Sequence, residues 1–284
     1  MRIEKLTLGS FEIYGLQDGH FHLDGGAMFG VVPKVLWQRR FPADEKNRIK
    51  LSLNCILVKT KKALFLVETG IGAKLDQKSS DLYAVKREPG LIPSLEKLGV
   101  GIEDVNFVIN THLHFDHCGG NTHKNKEGKI VPTFPKAKYI VQKGEWEYAL
   151  HPCERDRTSY QADNFLPLEK HDLAWIIEGN KKISEGVEVA LVPGHTAFHQ
   201  CVKVQSQGEV LFFLGDLVPT SAHIGLPYIM SYDLFPLETL KNKKIYYEEA
   251  IKKDWILVFD HDPEHYFGKV LKEGDKYKFQ PLHV

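Results

Sequence analysis

Short unbroken apolar runs punctuate the chain: LSLNCILVK (51–59), ALFLVE (63–68), VNFVIN (105–110), KYIVQ (138–142), VEVALV (187–192), QCVKVQ (200–205), VLFFLG (210–215) and WILVFD (255–260). They are rich in Val, Ile, Leu and Phe, and most end in Gly, Asn, Asp or Pro, which marks strands that stop at turns. Runs without polar alternation predict sheets covered on both faces or packed against each other. Helical spacing interleaves with them. Residues 91–98 set Ile92, Leu95 and Leu98 on one face, and residues 237–253 set Leu237, Leu240, Tyr247 and Ile251 on another, with lysines elsewhere. The sum is an α/β protein in which strands outnumber helices. The polar, Gly- and Pro-rich stretch 119–136 predicts a surface loop or hairpin, and 151–180 predicts an irregular insertion with helical fragments near a site. No linker tract and no exact repeat divides the chain, so one domain over 1–284 is the simplest organisation.

Composition narrows the classes. Hydrophobic residues make up 43% and charged residues 26%, with 37 basic against 37 acidic side chains. That balance excludes a disordered chain and a nucleic-acid binder relying on bulk positive charge. Cys55, Cys118, Cys153 and Cys201 lie far apart without any CxxC, which argues against a zinc ribbon, a thioredoxin-like motif or a disulfide framework. The N-terminus lacks a signal-like apolar run, and no stretch reaches the roughly 20 apolar residues of a membrane helix. The expectation is a cytoplasmic protein that engages neither nucleic acid nor membrane.

Chemistry concentrates in THLHFDHCGGN (111–121), where three of the chain's 14 histidines fall within six residues. His112, His114, Asp116 and His117 form HxHxDH just beyond the apolar run VNFVIN. Alternate residues on an extended chain point the same way, so His112 and His114 can reach one metal. Asp116 and His117 then turn away in the following loop and can reach a second. Gly119 and Gly120 suit a tight bend. Histidine and carboxylate suit a borderline ion such as zinc, and three His plus one Asp exceed what a single catalytic zinc with an open position uses. Two divalent ions are therefore favoured over a His-rich loop that binds nothing. Three more segments place one ligand-type residue just past a strand: VPGHT with His195, FLGDL with Asp216 and VFDHD with His261. Strand ends on one sheet edge converge, as is usual for active sites of α/β folds.

The ordered set HxHxDH, PGHT, GD and DH resembles the metallo-β-lactamase superfamily of metal-dependent hydrolases, from VETG at 67–70 to His261. The resemblance implies a four-layer αββα sandwich with the metals at one edge between two sheets. It implies that His112, His114 and His195 hold the first metal, that Asp116, His117 and His261 hold the second, and that Asp216 bridges them. His114 departs from the Glu of diiron members and favours zinc. Glu68 stands where the family usually has Asp, supporting the metal loops; the alternative is a solvated strand-end acid. Two such ions can share a hydroxide that attacks a carbonyl or phosphoryl centre, with Asp116 as proton carrier.

Within the superfamily, HLHFDHCGGN, PGHTAFHQ and the long N-terminal segment resemble N-acyl homoserine lactonases and methyl parathion hydrolases. The implied substrate is a lactone or carboxylic ester, with organophosphate triesters second and a non-hydrolytic redox or binding role third. Pro219 stands where lactonases often carry a Tyr, and Tyr228 or Tyr232 are candidates to replace that phenol. The loop 25–41 offers Phe29, Val32, Leu36 and Trp37 to an apolar substrate group, or equally to core packing or a homodimer contact. His199 and His223 could support the site or simply pack. His20 and His22 form an HxH pair without a following acid and read as structural, and His265 as surface.

Overall fold

The computed structural model describes residues 2–282. Sixteen strands follow in chain order: β1 (Glu4–Leu8), β2 (Phe11–Asp24), β3 (Arg48–Lys59), β4 (Leu64–Val67), β5 (Phe107–Ile109), β6 (Thr122–Lys124), β7 (Ile130–Pro132), β8 (Lys138–Gln142), β9 (Ala174–Ile177), β10 (Lys181–Ser184), β11 (Val187–Leu191), β12 (Gln200–Ser206), β13 (Glu209–Phe213), β14 (Ile256–Val258), β15 (Phe267–Glu273) and β16 (Lys276–Pro281). The helices are α1 (Gly25–Phe29), α2 (Lys34–Trp37), α3 (Gln77–Leu82), α4 (Leu91–Lys97), α5 (Phe115–Cys118), α6 (Lys143–Leu150), α7 (Leu166–Lys170) and α8 (Pro236–Lys252). Two seven-stranded sheets form, in the orders β1-β2-β3-β4-β5-β8-β9 and β10-β11-β12-β13-β14-β15-β16.

Alternation inside the apolar runs explains the layering. Ile56 and Val58 of β3, with Phe65, Ile109 and Ile140, meet Val202, Val204, Leu211 and Phe213 of the other sheet in one buried cluster. The neighbours Cys55 and Leu57 point outward against Leu95 of α4, Trp146 of α6 and Leu168 of α7. Cys201 and Phe212 likewise pack outward with Tyr247 and Ala250 of α8. Each inner strand is thus apolar on both faces, and the architecture is the four-layer αββα sandwich.

All eight apolar runs form strands, and 119–136 contains the hairpin β6–β7. The strands β1, β2, β9, β10, β15 and β16 carry no such run. They alternate or sit at sheet ends: β16 (KYKFQP) is exposed at every second residue or more, so its pattern reads as polar. α8 departs from expectation. Leu237 is exposed, and the inward positions are Thr239, Lys243, Tyr247 and Ala250. Lys243 is fully buried because its Nζ donates to the carbonyls of His223, Gly225 and Tyr228 at 2.7–2.9 Å, which satisfies all three protons. Burial lowers its pKa to about 7. The clasp ties α8 to the loop that follows β13.

Strand direction sets the functional edge. β4, β5 and β8 run parallel, so Glu68, the 110–117 segment and Gln142 leave one edge together. β11 is antiparallel to β12 and β12 to β13, while β13 and β14 are parallel. Consequently β11, β13 and β14 also end at a common edge, delivering His195, Asp216 and His261. The sheets are joined there by Gln200 N–H to Thr111 O (2.9 Å), Ser52 N–H to His261 O (3.0 Å) and Asn54 N–H to Asp260 O (2.8 Å).

Candidate functional site

Beyond β5 the backbone bends at Thr111 and His112, is extended again at His114 and then enters the single turn α5, which carries Asp116 and His117. His112 and His114 face the same space, with ring centroids 4.4 Å apart. The glycines after α5 are needed for close approach: a Cβ on Gly119 would lie 2.1 Å from Ile71 O, and one on Gly120 2.2 Å from Thr69 O. Gly215 needs its glycine on two counts, a left-handed φ of +53° and a Cβ that would lie 2.5 Å from His199 Nε2.

The seven residues singled out in the sequence all meet. His195 Nε2 lies 3.0 Å from His114 Nδ1 and 3.1 Å from Asp216 Oδ2, and His112 Nε2 lies 3.9 Å from Asp216 Oδ2. On the other side of Asp216, His261 Nε2 lies 3.2 Å from His117 Nε2 and 3.4 Å from Asp216 Oδ1. Asp116 Oδ2 is 3.7 Å from His117 Nε2 and 3.6 Å from His261 Nε2. Two buried groups with ligand atoms within 4.8 Å of one another result: His112, His114, His195 and Asp216, and His117, Asp216, Asp260 and His261. Asp216 belongs to both.

The donor set fits two divalent cations. Donors around a zinc at 2.0–2.1 Å in tetrahedral array stand roughly 3.3 Å apart, close to the spacings here. His112 Nε2, Asp216 Oδ1 and both Asp260 oxygens are buried without any hydrogen-bond partner. The far ring nitrogens are anchored. His195 Nδ1 donates to Asp233 Oδ1 (3.0 Å) and His261 Nδ1 to Ser52 O (2.8 Å), which turns Nε2 of each inward, toward the space a cation would fill.

Electrostatics divide the imidazoles. Burial holds His112 and His114 well below the ordinary histidine pKa, so both are neutral donors of a lone pair. Burial also works against the charged form of His117, yet Asp116 and Asp216 raise it well above the usual value. For His261 burial is outweighed by Asp260 and Asp216, which raise it to about 9. Asp216 is disfavoured by burial, but His195, His117 and His261 hold it well below the usual carboxylate range.

The supporting residues were less legible. Glu68, at φ +63°, is buried; it accepts from Thr111 N–H (2.8 Å) and Asn110 Nδ2 (3.2 Å) and faces His117 Nδ1 at 3.5 Å. It is therefore not a solvated acid. His199 is buried against the His112 ring and accepts from Asp216 N–H (3.1 Å), so it packs and positions at once. Glu145 accepts from Leu113 N–H, Tyr160 and Thr196, joining the 110–117 segment to the His195 turn. Glu145, Asp233 and Asp260 carry no spacing signal in the sequence. The lactonase-tyrosine position, Pro219, instead uses its carbonyl to accept from His261 N–H (3.0 Å).

A cleft of about 410 Å³ opens above these side chains, walled by Leu23, Met28, Tyr83, Phe115, Arg155 and Tyr232. Of the readings open for 25–41, core packing holds for three of the four residues named, and Met28 of the same segment lines the cleft. Phe29, Val32 and Trp37 are buried in a core cluster and Leu36 faces out, because α1 and α2 turn their aromatic residues onto Ile49 and Leu51. His223 is buried too, stacked on Phe29 at 4.5 Å and bonded to Met28 O at 2.8 Å, so it secures this loop without lining the cleft. Tyr228 packs on Phe29, whereas Tyr232 lines the cleft. His20 and His22 lie on β2 away from the cleft lining. The 151–160 part of the irregular insertion does reach it, through Arg155, Asp156, Thr158 and Ser159. No helix among the described residues is long and apolar enough to cross a membrane.

Comparison with known proteins points the same way. Residues 49–261 match the metallo-beta-lactamase superfamily. An N-acyl homoserine lactonase of Bacillus thuringiensis is 27% identical over 230 residues, covering 76% of this chain and 83% of that protein. A probable metal-dependent hydrolase from Staphylococcus aureus superposes with a TM-score of 0.88 at 29% identity, covering 98% of this chain and 100% of that one. The dizinc quorum-quenching lactonase AidC superposes with a TM-score of 0.82 at 22% identity, covering 99% and 98%, a likeness of fold.

Proposed function

The chain belongs to the metallo-beta-lactamase superfamily, and from that premise we propose that it is a dinuclear metal-dependent hydrolase acting on a lactone or carboxylic ester. The observation that carries the reading is the convergence of two ligand groups that share Asp216 at the floor of a cleft. His112, His114 and His195 would hold one cation and Asp116, His117 and His261 the other, with zinc the first candidate for both. The cations would supply a Lewis acid for the carbonyl oxygen and ionise water near neutral pH.

The chain's own residues account for the remaining chemistry. Asp116, on the cleft side of α5, takes the proton of the attacking water and returns it to the leaving alkoxide. The acyl–oxygen bond breaks to give an alcohol and a carboxylic acid, which releases the second proton of the water to solvent; in a lactone both groups remain on one molecule. Burial raises the Tyr232 phenol to about 12, so it stays protonated and can donate to the substrate from the cleft wall. Leu23, Met28 and Phe115 offer an apolar surface to the rest of the substrate. The named lactonase among the relatives supports a lactone as the preferred ester.

The test is a panel of lactones, aryl esters, phosphotriesters and thioesters presented to zinc-loaded protein. Lactone or ester turnover should dominate; a panel won by phosphotriesters would replace the reading. Asp116→Asn should lower kcat by about 10²–10⁴-fold while the melting temperature stays near that of the parent. Full activity in that variant would remove Asp116 from its role.

A further inference from the structure

We propose that Asp260 is an additional anionic ligand of the second cation position. The inference rests on the dinuclear reading above and concerns a residue outside the seven-member set. Asp260 leaves the end of β14 directly before His261 and is 2% exposed. Its Oδ2 lies 3.7 Å from His117 Nδ1 and 3.8 Å from His261 Nε2. Neither of its carboxylate oxygens has a hydrogen-bond partner.

That lack of partners separates it from the neighbouring buried acids. Glu68 accepts from Thr111 N–H and Asn110. Glu145 accepts from a backbone N–H and two hydroxyls. Asp233 accepts from His195 and Thr239. Asp262 accepts from the N–H groups of Ser221, Glu264 and His265. Among the buried acids of the described residues, only Asp216 and Asp260 keep a bare oxygen. A carboxylate withdrawn from water without donors is strongly disfavoured unless a cation compensates it. Asp216, the other such acid, is the residue shared by both ligand groups.

Orientation of His117 does not explain Asp260. Glu68 Oε1 already stands nearer to His117 Nδ1, at 3.5 Å, and the backbone holds Glu68 in place. With Asp260 counted, the second position gathers two imidazoles and three carboxylates, against three imidazoles and one carboxylate at the first. It therefore suits a harder, more oxygen-preferring divalent ion than the first position does.

The experiment compares the full-length protein with Asp260→Asn and Asp260→Ala. Stepwise Zn²⁺ affinities come from competition with a chromogenic chelator, stoichiometry from elemental analysis, and folding from the metal-free melting temperature. Asn matches Asp in shape and still accepts a hydrogen bond, but it carries no charge. Both variants should keep the first affinity and weaken the second by about 10–100-fold or more. The metal-free Asn variant should still melt in one cooperative transition, so that a weaker second affinity reads loss of a ligand and not loss of the fold. A Co²⁺-loaded parent should add weak, high-coordinate visible absorption with its second ion, and the band should intensify in the Asn variant. An unchanged second affinity in Asp260→Asn overturns the inference, as does weakening in Ala alone, which would mark an orienting role. A parent that binds a single cation would instead bring down the dinuclear reading.

Discussion

Two His-x-His pairs lie in this chain, and only one enters the candidate site. His20 and His22 sit on β2 with ring centroids 6.2 Å apart, while His112 and His114 lie 4.4 Å apart beyond the end of β5. His20 and His22 share one side of an extended strand, whereas His112 and His114 are brought together across a bend. Inside β2 the pair faces strand neighbours: His20 is opposite Ser52 and His22 opposite Lys50. Burial lowers both pKa values, helped by Lys50 at His20 and by Arg48 at His22, where Asp44 only partly opposes it, and among the described residues neither belongs to a group of ligand atoms that could hold a metal. Phe21, between them, turns inward onto His261 at 5.5 Å. At the end of β5, in contrast, the backbone leaves the sheet where β11, β13 and β14 also end. The spacing of a pair keeps its two side chains near each other. The company they meet depends on where the strand stops.

Several changes would break that contrast. The largest effect is expected from Asp216→Asn, which removes the carboxylate common to both ligand groups. Elemental analysis should find neither position properly filled, and kcat/KM should fall beyond the roughly 10⁴-fold upper range for loss of one proton carrier. Two tightly bound zincs in that variant would refute a shared ligand. Glu68→Gln should act more mildly, because it alters only the support behind His117. Metal affinity should drop about 10–100-fold, measured by chelator competition, and an unchanged value would make Glu68 a loop staple.

Acidity sharpens the comparison further. His117, His195 and His261 have raised pKa values, the last about 9, although burial opposes each charge. At pH 7 the metal-free site therefore holds protons that a cation must displace. Affinity should climb as pH rises toward about 9 and then level off. Calorimetry in buffers of different ionisation heat should register proton release at pH 7, and a pH-independent affinity would contradict it. The smallest effect belongs to the other pair: His20→Ala with His22→Ala should leave metal content unchanged and kcat/KM within about twofold, as for positions off the site. A large loss of metal there would erase the distinction drawn between the pairs.

Much of the architecture could be read along the chain. Unbroken runs such as VLFFLG become strands buried on both faces, since both sheet faces are covered. The edge strand β16 escaped notice because one of its faces meets solvent and its pattern is diluted. Lys243 was assigned outward by its charge, but three carbonyls of the loop around it make burial possible. Phe29, Val32 and Trp37 suited a cavity wall and the core equally, because an apolar segment looks the same in either setting, and the fold put them in the core.

HxHxDH is a local matter: its four residues lie within six positions, on a bend and one helical turn, so short-range geometry already keeps them together. The segments bearing His195, Asp216 and His261 could likewise be recognised as strand ends. Whether His117 meets His261, 144 residues away, depends on two sheets packing with their ends on one side. Tertiary structure also chose Asp233 as the acid behind His195, set Glu145 between the 110–117 segment and the His195 turn, and left Asp260 without a partner. No periodicity encodes these placements, because each arises from separate backbone paths brought together when the apolar faces leave water.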